Sequence, residues 1–185
     1  MTRLHALDTV WLELESGRPA LAPGAVCVLD GPTPGVADVR TMVADRLDKA
    51  PSLRWVLDND SSLRRPTWHE AVEPDLSHHV QAHRVAAAPD ALAAYVSDYV
   101  STPLDRSRPL WDMRVVRGLA GGQWALLWRL HHAVADGIAA RAVMGHLLDL
   151  APDGGPTLAE ASLQGALPAT SGGHERGLHL PGRVG

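Results

Sequence analysis

A chain of 185 residues, 45% hydrophobic and 21% charged, has the length and composition of one ordinary globular domain. Its formal charge of −4 and pI near 6.2 provide no basic field for a phosphate backbone, so nucleic acid is not expected as a partner. A single cysteine, Cys27, rules out an intrachain disulfide and fits a reducing cytoplasm, and no run approaches the ~20 apolar residues of a membrane span.

The opening, Met1 to Gly17, carries Asp8, Glu13 and Glu15 within its apolar stretch, which does not suit a secretory leader. The expected protein is therefore soluble or only peripherally membrane-bound. Six Trp and no Phe mean that indole rings fill the bulky core positions. Of 17 basic residues only Lys49 is a lysine, a bias of the kind a G+C-rich genome imposes.

Pro23 to Asp30 is a Val-rich run between Pro-Gly and Asp-Gly-Pro and reads as a buried strand ending in a turn. Val39, Met42, Val43 and Leu47 recur at helical spacing, which predicts a helix from Asp38, as N-cap, to Ala50, with Pro51 as its stop. Leu53 to Leu57 is a second strand. Asn59 to Ser77 is polar and Pro-bearing, a loop with one short strand around Trp68. His78 to Val85 alternates as a strand does.

Pro89-Asp90 opens a helix running to about Val100, with Leu92, Tyr95, Val96 and Tyr99 on one face. After a loop over Ser101 to Arg108, Asp112 to Arg117 and Gln123 to His131 are β-type runs flanking Ala120-Gly121-Gly122, a hairpin signal. The second run leads into His131-His132-Ala133-Val134-Ala135-Asp136-Gly137. Gly137 to Leu150 then reads as a helix with Asp136 as N-cap and Ile138, Val143, Leu147 and Leu148 toward the core. Residues 151–185 shift to Gly, Pro, Ala and Ser and are expected to be a disordered tail. The expected fold class is mixed α/β, one lobe over residues 1–150.

Adjacent strand residues face opposite ways, so His131 and His132 cannot share one cavity and need two roles. One neutral imidazole within reach of a hydroxyl would make its oxygen nucleophilic by removing the proton in the transition state. Asp136 at the helix start could cap N–H groups and pair with an arginine, which spacing does not assign. Gly137 permits close backbone approach, with its N–H directed to a developing oxyanion. From spacing alone, two hydrogen-bonded histidines at a strand end before a capped helix explain the string equally well. Zinc would need a third ligand that the spacing does not supply, and no Gly-x-Ser-x-Gly elbow marks a serine hydrolase.

The string His131 to Gly137 matches the His-His-x-x-x-Asp-Gly motif shared by wax ester synthase/diacylglycerol acyltransferases, peptide-synthetase condensation domains and relatives of chloramphenicol acetyltransferase. Pro103-Leu104-Asp105-Arg106-Ser107-Arg108-Pro109-Leu110-Trp111-Asp112 resembles the Pro-Leu-Trp region of the first of these groups. Leu7-Asp8, Trp11-Leu12 and Glu15 resemble its opening, where Trp11 replaces the usual Phe. Arg65-Pro66-Thr67-Trp68 and the stretch from Asp75 to Val80 resemble it further, so that the likeness covers about residues 4–150.

The resemblance implies a chloramphenicol acetyltransferase-like sandwich lobe, a mixed sheet with flanking helices. It makes His132 the general base and His131 and Asp136 supporting residues, and it implies an arginine that holds Asp136, for which Arg54, on an expected strand, is the first candidate. Pro109, Leu110 and Trp111 are implied as structural, with Trp111 alternatively lining an acyl tunnel. The implied substrates are a fatty acyl-CoA and a diacylglycerol or long-chain alcohol, joined by direct attack with no cofactor, in the cytoplasm or at the inner membrane or lipid droplets. Family members carry two lobes, and the likeness reaches only the first. The second lobe is thus expected from a separately encoded chain or from self-association. The alternatives are a truncated, non-catalytic lobe acting as a binding module and a condensation-domain-like lobe.

Overall fold

The computed structural model describes residues 2–4, 6–15, 22–58, 66–71, 73–135 and 137–148. The region expected as a tail, 151–185, lies outside the described residues, as does Asp136. The elements in chain order are β1 (Thr2–Arg3), α1 (Ala6–Leu14), β2 (Gly24–Leu29), α2 (Val36–Ala44), β3 (Trp55–Asp58), β4 (Thr67–Glu70), α3 (Leu76–His79), β5 (Val80–Arg84), α4 (Ala91–Ser101), β6 (Trp111–Arg117), β7 (Trp124–Leu130) and α5 (Gly137–Leu147).

The larger sheet has the order β2-β7-β6-β5, and a smaller one has the order β1-β4-β3. β5 and β6 are parallel and every other pairing is antiparallel. A parallel pair needs a crossover connection, which α4 supplies between β5 and β6. The expected mixed sheet with flanking helices is therefore present.

Side-chain alternation divides the larger sheet's two faces. Met113, Val115, Leu126, Trp128 and Leu130 pack with Val39 and Val43 of α2 and with Ala140, Met144 and Leu147 of α5. Val116, Ala125 and Leu127 pack on the other side against Tyr99 of α4. A third cluster joins Leu12 of α1 and Leu57 and Trp68 of the small sheet to Leu104, Leu110 and Ala133, next to the histidine pair.

The hairpin forms as its glycines suggest. Gly121 and Gly122 have φ of 69° and 74°, left-handed values that a side chain disfavours, and they reverse the chain between β6 and β7.

Five expectations change in detail. β2 forms where a buried strand is expected, but it is the edge of the larger sheet, and Val26, Val28 and Leu29 are exposed, with no strand or helix among the described residues covering that side. The helix expected over 38–50 starts at Val36, and Asp38 accepts a hydrogen bond from Gly35 N–H at 3.1 Å from inside the first turn rather than from the cap position. It ends at Ala44, after which Leu47–Lys49 tightens into a 3₁₀ turn that keeps Leu47 buried. The strand expected at Leu53 begins at Trp55, because Pro51–Arg54 is a second 3₁₀ turn. His78 and His79 fall in α3, not in the following strand, because Asp75 caps that turn through Ser77 N–H at 3.0 Å and Ser77 Oγ at 2.6 Å. These bonds, led by the Ser77 hydroxyl, lower the Asp75 carboxyl to about 2. Finally, α1 is a helix that the sequence reading does not anticipate.

Candidate active site

Cross-strand register brings the two distant motifs together. Trp111 at the start of β6 pairs with Leu130 at the end of β7, and His131 N–H donates to Leu110 carbonyl at 2.9 Å. Pro109-Leu110-Trp111 therefore lies directly beside the histidine pair. After His131 the chain turns: Val134 N–H returns to the His131 carbonyl at 2.9 Å, and α5 opens at Gly137.

The two histidines occupy different environments. His131 is 1% exposed. Ala133 N–H donates to its Nδ1 at 3.0 Å, and because an amide can only donate there, Nδ1 carries a lone pair and the proton sits on Nε2. That Nε2–H donates to Glu15 Oε2 at 3.2 Å. Burial lowers the His131 pKa, although the nearby Glu15 carboxylate acts in the opposite direction. Both ring nitrogens are thus engaged, and His131 is held neutral in one tautomer.

His132 is only partly buried, and its ring stacks on Trp11 of α1 with centroids 4.8 Å apart and planes 20° from parallel. Of the pair, it is the more exposed ring.

Glu15 is the residue whose contact the sequence does not disclose. It is 5% exposed and also accepts from Arg106 Nη2 at 3.0 Å. The same guanidinium nitrogen donates to Leu12 carbonyl at 2.7 Å. The opening segment and the Pro-Leu-Trp segment are thereby tied to each other and to the histidines. The helical spacing of Trp11 and Glu15 on one face was the signal available for finding this.

Trp111 is 2% exposed and lies in the core. Its indole Nε1–H donates to Leu53 carbonyl at 2.8 Å, and its ring stacks on His79 at 4.4 Å. His79 Nδ1–H in turn donates to the Trp111 carbonyl at 2.8 Å. Of the two roles considered for Trp111, packing is the one these surroundings supply. Pro109 and Leu110 are buried beside it. Arg54 pairs with Asp48 at 2.9 Å and approaches Glu70 at 3.9 Å. Asp136, the partner suggested for it, lies outside the described residues.

Behind the turn, Arg129 and Asp112 face each other across the hairpin, with Nε to Oδ1 at 2.9 Å and Nη2 to Oδ2 at 3.1 Å. Tyr99 hydroxyl also donates to Asp112, and Arg129 Nη1 donates to the Tyr99 and Thr102 carbonyls at the end of α4. This buried network fixes the strand that delivers the histidines.

Acid should loosen this region. Burial pushes both His79 and His131 below the ordinary histidine value of 6.5. Below that value the unfolded chain takes up protons that the folded one resists, so stability is complete above it and falls as the pH drops through it. Urea midpoints measured from pH 7.5 to 5 should decline. A flat or rising profile would contradict the neutral, buried assignment.

Among the described residues, no helix is long and apolar enough to cross a membrane. The chain is 35% identical over 156 residues to tgs1 of Mycobacterium tuberculosis, named a probable diacylglycerol O-acyltransferase; the match covers 80% of this chain and 33% of the relative. It is similar to the solved wax ester synthase/diacylglycerol acyltransferase from Marinobacter aquaeolei VT8, with a TM-score of 0.66 and 28% identity, over 85% of this chain and 41% of that one. The starter condensation domain of rhizomide synthetase RzmA shares the fold, with a TM-score of 0.65 and 19% identity, over 91% of this chain and 41% of that one. The chloramphenicol acetyltransferase-like architecture expected from the sequence is the one these structures share with this chain. The chain spans about a third of the length of the curated relatives it matches. The wax ester synthase/diacylglycerol acyltransferase catalytic domain model matches residues 4–181, taking in every element that builds the histidine turn, and the chain therefore belongs to that family.

Proposed function

We propose that this chain forms one lobe of an acyl-CoA-dependent O-acyltransferase that passes a fatty acyl group to diacylglycerol or a long-chain alcohol. The products are triacylglycerol or wax ester, and His132 is the general base. The observation that carries the assignment is the engagement of both His131 ring nitrogens, one by Ala133 N–H and one by Glu15. His132 is left as the imidazole of the pair that can accept a proton.

In the proposed reaction, His132 takes the hydroxyl proton of the acceptor as its oxygen attacks the thioester carbonyl. The tetrahedral intermediate collapses, the carbon–sulfur bond breaks, and the proton passes from His132 to the departing CoA thiolate. No cofactor enters, and the enzyme carries no acyl group. Gly137 N–H, at the opening of α5, is the proposed donor to the oxyanion, where the helix dipole adds to its effect. Asp136 is the proposed orienting residue of the turn, and Pro109, Leu110 and Trp111 are its scaffold.

The known members' active site lies between two lobes, so the proposed partner is a second lobe, separately encoded or supplied by self-association. The acceptors are membrane lipids, and α1 exposes Val10 and Leu14, one turn apart. These fit peripheral contact of a cytoplasmic protein with the inner membrane or lipid droplets.

The test is ester formation from radiolabelled palmitoyl-CoA with dioleoylglycerol or hexadecanol. The chain is assayed alone and with the C-terminal part of the Marinobacter relative added in trans. Product is expected when the site is completed, with a loss of at least roughly 100-fold for His132→Ala. Equal rates for the two proteins would remove His132 from the chemistry. Absence of product under every pairing would favour a non-catalytic lobe.

A further inference from the structure

Glu15 directly follows α1, and its N–H donates to the Trp11 carbonyl at 3.3 Å, so the helical turn runs on through it and the two side chains, four residues apart, emerge on one face. Each contacts a different histidine. Trp11 covers one face of the His132 ring at 4.8 Å, and Glu15 accepts from His131 Nε2–H at 3.2 Å. Arg106 holds this helix end through Glu15 and the Leu12 carbonyl. The Glu15–His131 contact extends further, because His131 Nδ1 also holds Ala133 N–H at 3.0 Å. Residue 132 is therefore bracketed: the backbone on both sides is fixed through His131, and the ring is fixed through Trp11.

We infer that α1 is the positioning device for the base, with Trp11 setting the plane of the His132 ring and Glu15, acting through His131, setting the backbone that carries it. This rests on the reading of His132 as the base. A partly exposed imidazole at a turn would otherwise exchange among rotamers, and a misplacement of about 1 Å can cost roughly 100-fold in rate. Both residues act through others and are positioning residues. Neither contributes a proton or touches the reacting atoms in this scheme.

Two measurements on the same preparations test the inference. In histidine-labelled protein, NMR should show the His132 ring protons shifted upfield by the stacked indole. Trp11→Ala should abolish that shift and Trp11→Phe should keep much of it, while Glu15→Ala should broaden or displace the His132 resonances. In the completed acyltransferase, Trp11→Ala and Glu15→Ala should each lower kcat by roughly 100-fold with KM within about threefold. Trp11→Phe, which preserves a stacked ring, should recover most of the loss.

Wild-type kcat in both alanine variants would overturn the inference, as would a loss matching only the fall in folded fraction by circular dichroism. If the wild-type protein forms no ester, the catalytic reading falls but the NMR result still decides the positioning claim. An unchanged His132 spectrum in Trp11→Ala would then refute it.

Discussion

Replacing Arg129 by leucine is expected to lower the unfolding free energy by about 3–5 kcal/mol, the usual cost of leaving one member of a buried ion pair alone. Asp112 is only 6% exposed, and Arg129 meets both its oxygens with a forked pair of donors. The remaining partners, Tyr99 hydroxyl and Arg114 at 3.2 Å, would not replace that fork. The loss extends beyond the pair, because Arg129 Nη1 also satisfies the Tyr99 and Thr102 carbonyls at the C-terminal end of α4, where a cation complements the helix dipole. The guanidinium also lies over the Tyr99 ring at 4.4 Å. Lysine should recover little, since it offers a point charge rather than a planar fork.

The informative comparison is the double variant Arg129→Leu, Asp112→Leu. Removing both charges can be nearly neutral where removing one is not, so the double variant should be more stable than Arg129→Leu alone. Urea unfolding of the three proteins measures this. A single-variant cost below about 1 kcal/mol would mean that water reaches Asp112 and that the network does not hold the strand. Against a total stability of about 5–15 kcal/mol, the expected loss is large enough to depopulate the folded state in the cell.

Arg129 and Asp112 also show how far the sequence could be read. Both lie on runs whose β pattern is clear, and the glycine turn between them implies a hairpin. Their pairing needs only the register, which the turn sets. The helix over Ala91–Ser101 was legible for a similar reason, since Leu92, Tyr95, Val96 and Tyr99 repeat over several turns. α1 was not, because Val10, Trp11, Leu12 and Leu14 are too crowded to trace a single stripe, and nine residues give little room for one. α3 is one turn inside a polar stretch, where only Asp75 and Ser77 marked its start.

Within the site, the strand end and the helix opening at Gly137 were legible from local pattern. The contact of Glu15 with His131 spans 116 positions, and the four-residue spacing of Trp11 and Glu15 shows only that they share a face; what that face meets is decided by tertiary packing of α1. The pairing of Arg54 with Asp48 and Glu70 was illegible for the same reason: charge partners across 3₁₀ turns and sheet edges follow from geometry that spacing does not encode.

Trp111→Ala should be comparably damaging, at about 3–5 kcal/mol, the cost of deleting a buried aromatic ring. The indole lies among residues of α2, α5 and the larger sheet, so its loss leaves a cavity that several elements would have to collapse to fill. Trp111→Phe separates the ring from its polar handle. It keeps most of the apolar volume but leaves the Leu53 carbonyl without the indole donor at 2.8 Å, a change worth about 1–3 kcal/mol for a buried acceptor. Both costs should appear in urea midpoints at neutral pH, in the order wild type, Phe, Ala. The phenylalanine variant also distinguishes packing from substrate contact. If Trp111 serves the scaffold, Trp111→Phe should lose stability while KM for acyl-CoA and acceptor in the completed enzyme stay within about twofold of wild type. A raised KM with an unchanged urea midpoint would put the indole on the substrate path instead. The effect on catalysis would follow from position alone, because Trp111 pairs with Leu130, one residue before the histidine turn. Any shift of β6 that relieves the cavity is therefore carried into the turn through the hydrogen bond from His131 N–H to Leu110 carbonyl.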